Sequence, residues 1–326
     1  MSTRRHFIIT AAGAGAAASS IALPALAAAW PSRPLRIIVP FPPGGTSDVI
    51  ARLISKPLGD ALGTTVVVEN KTGANGIIGA AATAQSNDEH TVLLSDMSAL
   101  AISPLVSKDM PYKPAELRGA TMLAYSPHLL VAHPSVPASN ITELVAASKK
   151  KSLNVASSGS GSANHLGVVD IALATGLQWQ HVPFRGGSQA IGDTAAGNTQ
   201  LCLNGMLATW PLVQAGRLKL IGVSKATRMA LLADSPTIAE QGVKGFESGT
   251  YQDIAVPASL PKAHAERLAA ELIRVVRSPD MRARLVAAGA EVMTSSPAET
   301  TEFLVRESKR WASVIQRAGS QLEGTA

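Results

Sequence analysis

A short stretch at residues 40–48, PFPPGGTSD, has the composition of an anion-binding loop. It follows an apolar run at 35–39 that predicts a buried strand, and it precedes apolar residues at helical spacing from Ile50 onward. Where glycines join a strand to a helix, free backbone N–H groups and the positive helix end face one point. The stretch predicts a carboxylate or phosphate cradle, with an ordinary strand–helix turn as the alternative. Its candidate ligand-binding residues are Phe41, Pro43, Gly44, Gly45, Thr46, Ser47 and Asp48.

Three of these side chains, Thr46, Ser47 and Asp48, are of the types that cap helices. The hydroxyls of Thr46 and Ser47 can also donate to an anion. Asp48 is expected to cap the helix or to fix the loop, because a bare aspartate facing a carboxylate would repel it.

The same strand–loop–helix order recurs further along the chain. A strand at 65–69 runs into the glycine-spaced loop 70–79, and a strand at 91–94 ends in the polar segment 95–98. Such alternation favours a parallel α/β sheet, whose ligand crevice lies outside the carboxyl ends of the strands. All three loops should therefore face one crevice. The candidate residues in these two loops are Asn75, Gly76, Ser95 and Ser98.

A fourth loop of this kind lies in the second half of the chain. A strand at 153–156 precedes the serine- and glycine-rich segment 157–162, and a helix follows. Hydroxyls and N–H groups converge in such a loop; a flexible linker is the alternative, and the adjoining strand and helix argue against it. His165 either faces the cleft or caps the helix. The candidate residues here are Ser158, Gly159, Ser160, Ser162 and His165.

The first 29 residues have the pattern of an export signal. Arg4 and Arg5 precede an apolar stretch at 8–26, and small residues end the segment near Ala27 and Ala29. The paired arginines favour a twin-arginine signal, with the general secretory route or an uncleaved membrane anchor as alternatives. A cleaved signal would place the mature protein in the periplasm.

Composition excludes several classes of protein. The formal net charge of +6 suits an anionic ligand, but the basic residues are dispersed and aromatic residues are few, which argues against nucleic acid. Cys202 is the single cysteine, so no internal disulfide forms. No sequence motif suggests a metal site or a cofactor.

Several segments together resemble one family of proteins. VPFPPGGTSDVIAR is followed by VVVENKTGANGIIGA, VASSGSGSANHLGV, VPFRGGSQAIGD, GRLKLIGV, SPTIAEQGVKGFE and VPASLPKA. In this order they resemble the tripartite tricarboxylate transporter receptors, the TctC or Bug periplasmic solute-binding proteins. The resemblance covers essentially the whole chain after residue 29.

The resemblance implies an α/β fold of the type II periplasmic-binding-protein class. Two α/β lobes would close over one ligand, with residues 30–125 and 252–326 in lobe 1 and residues 126–251 in lobe 2. The implied ligand is a small organic acid or an amino acid, whose amine Asp48 could hold, and the implied partners are membrane permease subunits of the tripartite tricarboxylate type. The protein is expected to be a monomer.

The resemblance also adds site residues. An aromatic-x-Gly loop, here with Phe184, Gly186 and Gly187, is implied to hold the far end of the ligand. Asn204 stands where relatives carry aspartate, and Tyr251 begins a segment that replaces a Trp-x-Gly. Both are candidate ligand-binding residues, and both departures argue against transferring a relative's particular ligand.

Two alternative functions use the same chain. The run at 186–190, GGSQA, loosely matches a nucleophile elbow, which would make the protein a periplasmic hydrolase or esterase with Ser188 as its nucleophile. No convincing Ser–Asp–His order accompanies it, so the prediction is that the protein is not an enzyme. A sensor that presents its ligand to a membrane kinase would use the same cleft as a transport receptor.

Overall fold

The computed structural model describes residues 30–107 and 109–319 as a mixed α/β protein. The described residues form ten strands: β1 (Leu35–Val39), β2 (Val66–Asn70), β3 (Thr91–Asp96), β4 (Leu117–Ala132), β5 (Leu153–Ser157), β6 (Trp179–Pro183), β7 (Leu201–Gly205), β8 (Lys219–Val223), β9 (Gly249–Pro257) and β10 (Glu291–Val292). They form ten α-helices: α1 (Thr46–Leu62), α2 (Ile77–Ala84), α3 (Ser103–Val106), α4 (Ile141–Lys150), α5 (Ala163–Thr175), α6 (Gly187–Ala195), α7 (Met206–Gln214), α8 (Lys262–Arg277), α9 (Pro279–Ala287) and α10 (Pro297–Ala318). The export signal predicted at residues 1–29 lies outside the described residues. Within them, no helix combines the length and apolar character that crossing a membrane requires.

The strands follow the order β2-β1-β3-β9-β4-β7-β5-β6, with β8 and β10 also paired to β4. At one end β1 pairs in parallel with β2 and β3, and at the other β5 pairs in parallel with β6 and β7. The predicted α/β class is confirmed, with each parallel group forming one lobe. We call the part built on β1–β3 the first lobe and the part built on β5–β7 the second lobe.

Two long strands, β4 and β9, connect the lobes. They pair antiparallel from Leu117 opposite Pro257 to Pro127 opposite Gly249, and β4 then continues into the second lobe to pair with β7 and β8. The crossovers predicted near residues 125 and 252 therefore lie inside strands rather than loops. The apolar run at 129–132 forms the second half of β4. The exact lobe boundaries stay a prediction.

Each lobe has its own apolar core. In the first, Ile37 and Leu94 of the sheet pack with Ile54 of α1 and Leu268 of α8, all fully buried. In the second, residues such as Leu144, Val155 and Leu203 form a separate cluster. Separate cores allow each lobe to keep its shape if the two lobes move relative to each other.

Helix α10 closes the first lobe against the connecting strands. It begins with a capping box, in which the Ser296 hydroxyl accepts from the Glu299 N–H at 3.2 Å and the Glu299 carboxylate accepts from the Ser296 N–H at 2.7 Å. Ser296, Pro297 and Glu299 are residue types that favour the start of a helix. Farther along, Phe303 and Trp311 pack against Tyr125 and Tyr251 of the connecting strands.

The packing of α10 against β4 can be tested at Gly119, because a methyl group there would clash with Thr300 of α10. We expect Gly119→Ala to lower the free energy of unfolding by about 1–3 kcal/mol through overpacking. The matched control is Gly192→Ala, in the exposed face of α6 where nothing lies near the added carbon. It should raise stability by about 0.5–1 kcal/mol through helix propensity. Urea unfolding measures both, and equal effects of the two substitutions would contradict the described packing.

Candidate ligand-binding site

A narrow cavity of about 40 Å³ lies between the lobes, at the carboxyl ends of the parallel strands. Its walls come from the first lobe, from the second lobe and from the two connecting strands. The lining residues are Phe41, Gly45, Thr46, Ser47, Asp96, His128, Ser158, Ala163, Asn164, Gly187, Asn204 and Thr250. Residues from both lobes enclose the space, so a molecule held there would contact both.

The loop before α1 is held by the carboxylate of Asp48. Its oxygens accept hydrogen bonds from the Gly44 N–H at 3.0 Å, from Arg52 at 3.0 and 3.1 Å and from the Asn70 amide at 2.9 Å. The same Asn70 amide donates to the Phe41 carbonyl at 3.0 Å. Gly44 has a φ of +79°, a conformation that glycine adopts without strain. The loop is therefore fixed before any ligand arrives.

This network also decides between the two roles expected for Asp48. Burial alone would raise its pKa, but the hydrogen bonds from Arg52, Gly44 and Asn70 hold the pKa below its usual value. Asp48 is thus an ionised, fully compensated group that fixes the loop. The capping expectation is wrong, because the N-cap of α1 is Gly45 and no side chain caps the helix.

Three helices begin at the cavity. The first residues of α1, α5 and α6 are Thr46, Ala163 and Gly187, and all three line it. The first N–H groups of a helix have no partner within the helix, and the helix dipole places partial positive charge there. The cavity therefore has a positive potential made by backbone groups rather than by basic side chains.

The second-lobe wall is closed by hydrogen bonds among its own side chains. The Asn164 carbonyl oxygen accepts from the Ser158 hydroxyl at 2.8 Å and from the Ser162 hydroxyl at 2.6 Å. Ser162 is also the N-cap of α5, accepting from the His165 N–H. These bonds order the loop at 157–162, as expected of a binding loop rather than a linker.

The two lobes touch where their loops contain glycine. A side chain at Gly186 of the second lobe would collide with Pro42 of the first, and within the second lobe one at Gly187 would collide with Asn204. One at Gly205 would meet the Thr46 hydroxyl at 2.6 Å. These glycines permit the close approach that makes the cavity narrow.

A neutral histidine forms part of the floor. The imidazole of His128 is hydrogen-bonded through Nδ1 to the Ser248 hydroxyl at 2.8 Å and lies 3.3 Å from the Thr250 hydroxyl. Burial, with a smaller contribution from Arg310, lowers the pKa of His128 to about 3. At physiological pH it offers hydrogen bonds but no charge.

Asp96 is the acidic group of the cavity. It ends β3, keeps part of its surface open and accepts one hydrogen bond from the Ser98 N–H at 2.9 Å. Burial raises its pKa to about 6, against an ordinary value of 3.8, although the bond from Ser98 opposes the shift. Asp253 of β9 is fully buried with both carboxyl oxygens unpartnered. Burial and the nearby Asp96 raise the pKa of Asp253 well above its usual value.

Seven of the sequence-predicted residues line the cavity: Phe41, Gly45, Thr46, Ser47, Ser158, Gly187 and Asn204. An adjoining space of about 370 Å³ shares Ser158 with it and is lined by Asn75, Gly159, Ser160 and Phe184 among others. The second loop, at 70–79, therefore reaches this adjoining space instead of the cavity itself.

The remaining predicted residues support these walls without lining them. Pro43 and Gly44 belong to the fixed loop, Asp48 in the first turn of α1 holds that loop, and Gly76 and Gly186 allow close packing against residues 40–42. Ser95, Ser98 and Ser162 are buried.

Two aromatic candidates lie beside the cavity, behind its lining. His165 is stacked on His181 with ring centroids 3.9 Å apart, and burial lowers its pKa to about 3. Tyr251 packs against Tyr125 with centroids 4.6 Å apart.

Five lining residues were not among the predictions: Asp96, His128, Ala163, Asn164 and Thr250. Asp96 and Asn164 could have been predicted from the sequence, since each lies in or beside a loop already identified as a candidate binding loop. His128 and Thr250 lie on the connecting strands, and their position depends on pairing between distant segments.

Comparisons with known proteins agree with this geometry. Residues 50–320 match the profile of the tripartite tricarboxylate transporter family receptor. Protein BugT of Bordetella pertussis is 32% identical over 312 residues, covering 94% of this chain and 96% of its own.

The chain belongs to the tripartite tricarboxylate transporter receptor family.

Two solved structures support this assignment. The periplasmic binding protein BugD superposes with a TM-score of 0.85 at 29% identity, covering 89% of this chain and 99% of BugD. Rpa4515 of R. palustris, solved with adipate, gives a TM-score of 0.86 at 29% identity over 91% of this chain and 99% of its own. Members of this family are substrate-binding receptors, not enzymes. The hydrolase alternative with Ser188 is therefore not supported.

The raised pKa of Asp96 predicts a specific pH dependence of stability. Between about pH 4 and pH 6 the folded ligand-free protein holds a proton at Asp96 that the unfolded chain has lost. The contribution of Asp96 to the free energy of unfolding therefore falls as the pH rises through that window. Asp96→Asn removes the free-energy cost of ionising a buried carboxyl group and should stabilise the protein at pH 8 by about 1–3 kcal/mol.

The difference in free energy of unfolding between wild type and Asp96→Asn should fall to about half of its pH 8 value at pH 5 and approach zero only below about pH 4. Measuring this difference cancels the opposing titration of buried histidines such as His128 and His165. The exposed surface acid Asp234 supplies the control, since Asp234→Asn should change little at either pH. Urea unfolding at both pH values gives the result, and a destabilised Asp96→Asn variant at pH 8 would refute the assignment.

Proposed function

We propose that this protein is a periplasmic receptor that captures a small organic anion through a carboxylate group and delivers it to a membrane permease of the tripartite tricarboxylate type. The observation that carries the proposal is the convergence of three helix starts on one cavity between two lobes. Backbone donors at helix starts suit a carboxylate, and the ligand of Rpa4515, adipate, belongs to that chemical class.

The carboxylate is held by the residues that begin α1. Gly45 leaves the approach to the helix start open, and the N–H groups of Thr46 and Ser47 precede the first intrahelical bond, which runs from Val49 N–H to the Gly45 carbonyl. The hydroxyls of Thr46 and Ser47 add donors from the same wall. Because Asp48 is fully engaged with Arg52, Asn70 and Gly44, its charge does not oppose the ligand.

The receptor role is supported by the family to which the chain belongs and by the two-lobe architecture. A ligand contacted by both lobes stabilises the closed arrangement, and a permease can then distinguish loaded from empty receptor. Export by the signal at residues 1–29 would deliver the protein to the compartment where such a permease takes up its substrate.

Variants of the loop test the binding mode. Gly45→Val should bind carboxylic acids at least about tenfold more weakly, because the new side chain occupies the space in front of the α1 N–H groups. Its Cβ has only the Pro42 carbonyl at 3.5 Å as a neighbour, so the variant should fold. Thr46→Ala should weaken binding by about 0.5–1.5 kcal/mol, since it removes one neutral donor.

Calorimetric titration with a panel of organic acids and amino acids measures these effects. Gly192→Val is the control, because it adds the same side chain at an exposed helical glycine with no neighbour. If Gly45→Val binds like wild type, the carboxylate is held elsewhere, and the loop at 157–162 becomes the better candidate.

Ligand-dependent closure is a second expectation. The contact between Pro42 and Gly186 and the narrow cavity describe a closed arrangement of the lobes. Small-angle X-ray scattering should give a smaller radius of gyration with a saturating ligand than without one. An unchanged radius at verified saturation would rule out the hinge.

A further inference from the structure

The charge balance of the cavity is unusual for a site that holds an anion. Of the residues that line it, Asp96 and His128 can titrate, and neither Lys nor Arg is among them. Burial keeps His128 neutral, with a pKa of about 3. Asp96 is therefore the one side chain in the lining that can carry a charge, and that charge is negative.

Asp96 also lacks the compensation given to the other acid beside the cavity. Asp48 is paired with Arg52 at 2.9 Å and accepts further bonds from Gly44 and Asn70. Asp96 accepts from the Ser98 N–H, and no Lys, Arg or His of the described chain lies within ion-pair distance of it. An acid placed this way is costly unless something else supplies a positive partner.

A second observation on the neighbouring strand points to the same place. Gln252 of β9 is directly opposite Asp96 of β3, and cross-strand partners share one face of a sheet. Thr250, two residues from Gln252 and so on that same face, lines the cavity. The Gln252 side chain is fully buried, yet neither its amide nitrogen nor its amide oxygen has a partner. Buried amides without partners are rare, which indicates that a bound group completes this corner.

We propose that the ligand carries a protonated amine in addition to its carboxylate, with the amine at Asp96 and Gln252 and the carboxylate at the start of α1. The inference rests on the proposed function, since it adds a second recognised group to the same cavity. The ammonium and the carboxylate of such a ligand carry opposite charges. The carboxylate accepts from the N–H donors at one wall, and the ammonium donates to the Asp96 carboxylate at the other.

A simple dicarboxylate would fit this arrangement less well. Its second carboxylate would meet no basic side chain in the lining and would lie near an acid that repels it. Binding it would require a proton on Asp96 first. The amine is thus the feature by which this cavity separates amino acids from plain organic acids.

Matched pairs of ligands test the inference on the full chain after removal of its export signal. The probes are alanine and propionate, aspartate and succinate, glutamate and glutarate, and phenylalanine and hydrocinnamate, titrated calorimetrically at pH 7.5. We expect the best-binding pair to show at least about tenfold tighter binding of its amine-bearing member. In Asp96→Asn that preference should fall to about threefold or less, and Asp234→Asn should leave it unchanged.

The outcomes separate the two proposals. If an amine-free acid binds wild type as tightly as its partner or more tightly, the inference is overturned and the proposed function stands. If no acid of either kind binds, the proposed function fails and the inference fails with it. If the preference for the amine-bearing ligand persists in both Asp96→Asn and Asp96→Ser, another group holds the amine and its assignment to Asp96 is overturned. Should both variants fail to fold, the wild-type comparison decides alone.

Discussion

The antiparallel pairing of β4 with β9 is the constraint on which the rest of the structure depends. These strands run between the lobes, so their pairing sets the position of one lobe against the other. At the middle of the pair, Tyr125 lies opposite Tyr251 and their rings pack 4.6 Å apart. Register shifts occur nearby, between Gly119 and Thr121 and between Met122 and Ala124. A paired ribbon with irregular register can bend, which suits the hinge proposed above.

The same pairing assembles the cavity floor. His128 on β4 and Thr250 on β9 lie within hydrogen-bonding reach of each other, and Asp96 reaches the floor because β3 pairs with β9. The walls, by contrast, are local products of strand–loop–helix segments, each of which brings its own N–H donors. Each wall is therefore fixed by its own segment, and the position of one wall relative to the other depends on the connecting strands.

The walls are the part that the sequence predicts well. Strand β1 agrees with its apolar run, and the loop between β1 and α1 lies where its glycines and prolines predict it. These features depend on a few consecutive residues. The floor depends on contacts between segments more than a hundred residues apart, such as His128 with Ser248, and no local pattern encodes them. For the same reason the sequence did not reveal that β4 continues from one lobe into the other.

Asp96 is informative because it lines the candidate cavity as an acid without a basic partner among the described residues. Its partner strand carries Asp253 and Gln252, so the junction of β3 and β9 holds two acids and an amide. The described chain leaves the carboxyl oxygens of Asp253 and the amide of Gln252 without partners, while Asp96 accepts a bond from Ser98. Such a cluster lowers the stability of the empty protein, and packing alone would favour an apolar replacement. A sequence keeps a destabilising group of this kind where function uses it, because the cost is offset only when a ligand binds. A receptor gains from this arrangement: the ligand that supplies the missing positive charge stabilises the closed form, whereas an anion without that charge leaves the cost in place.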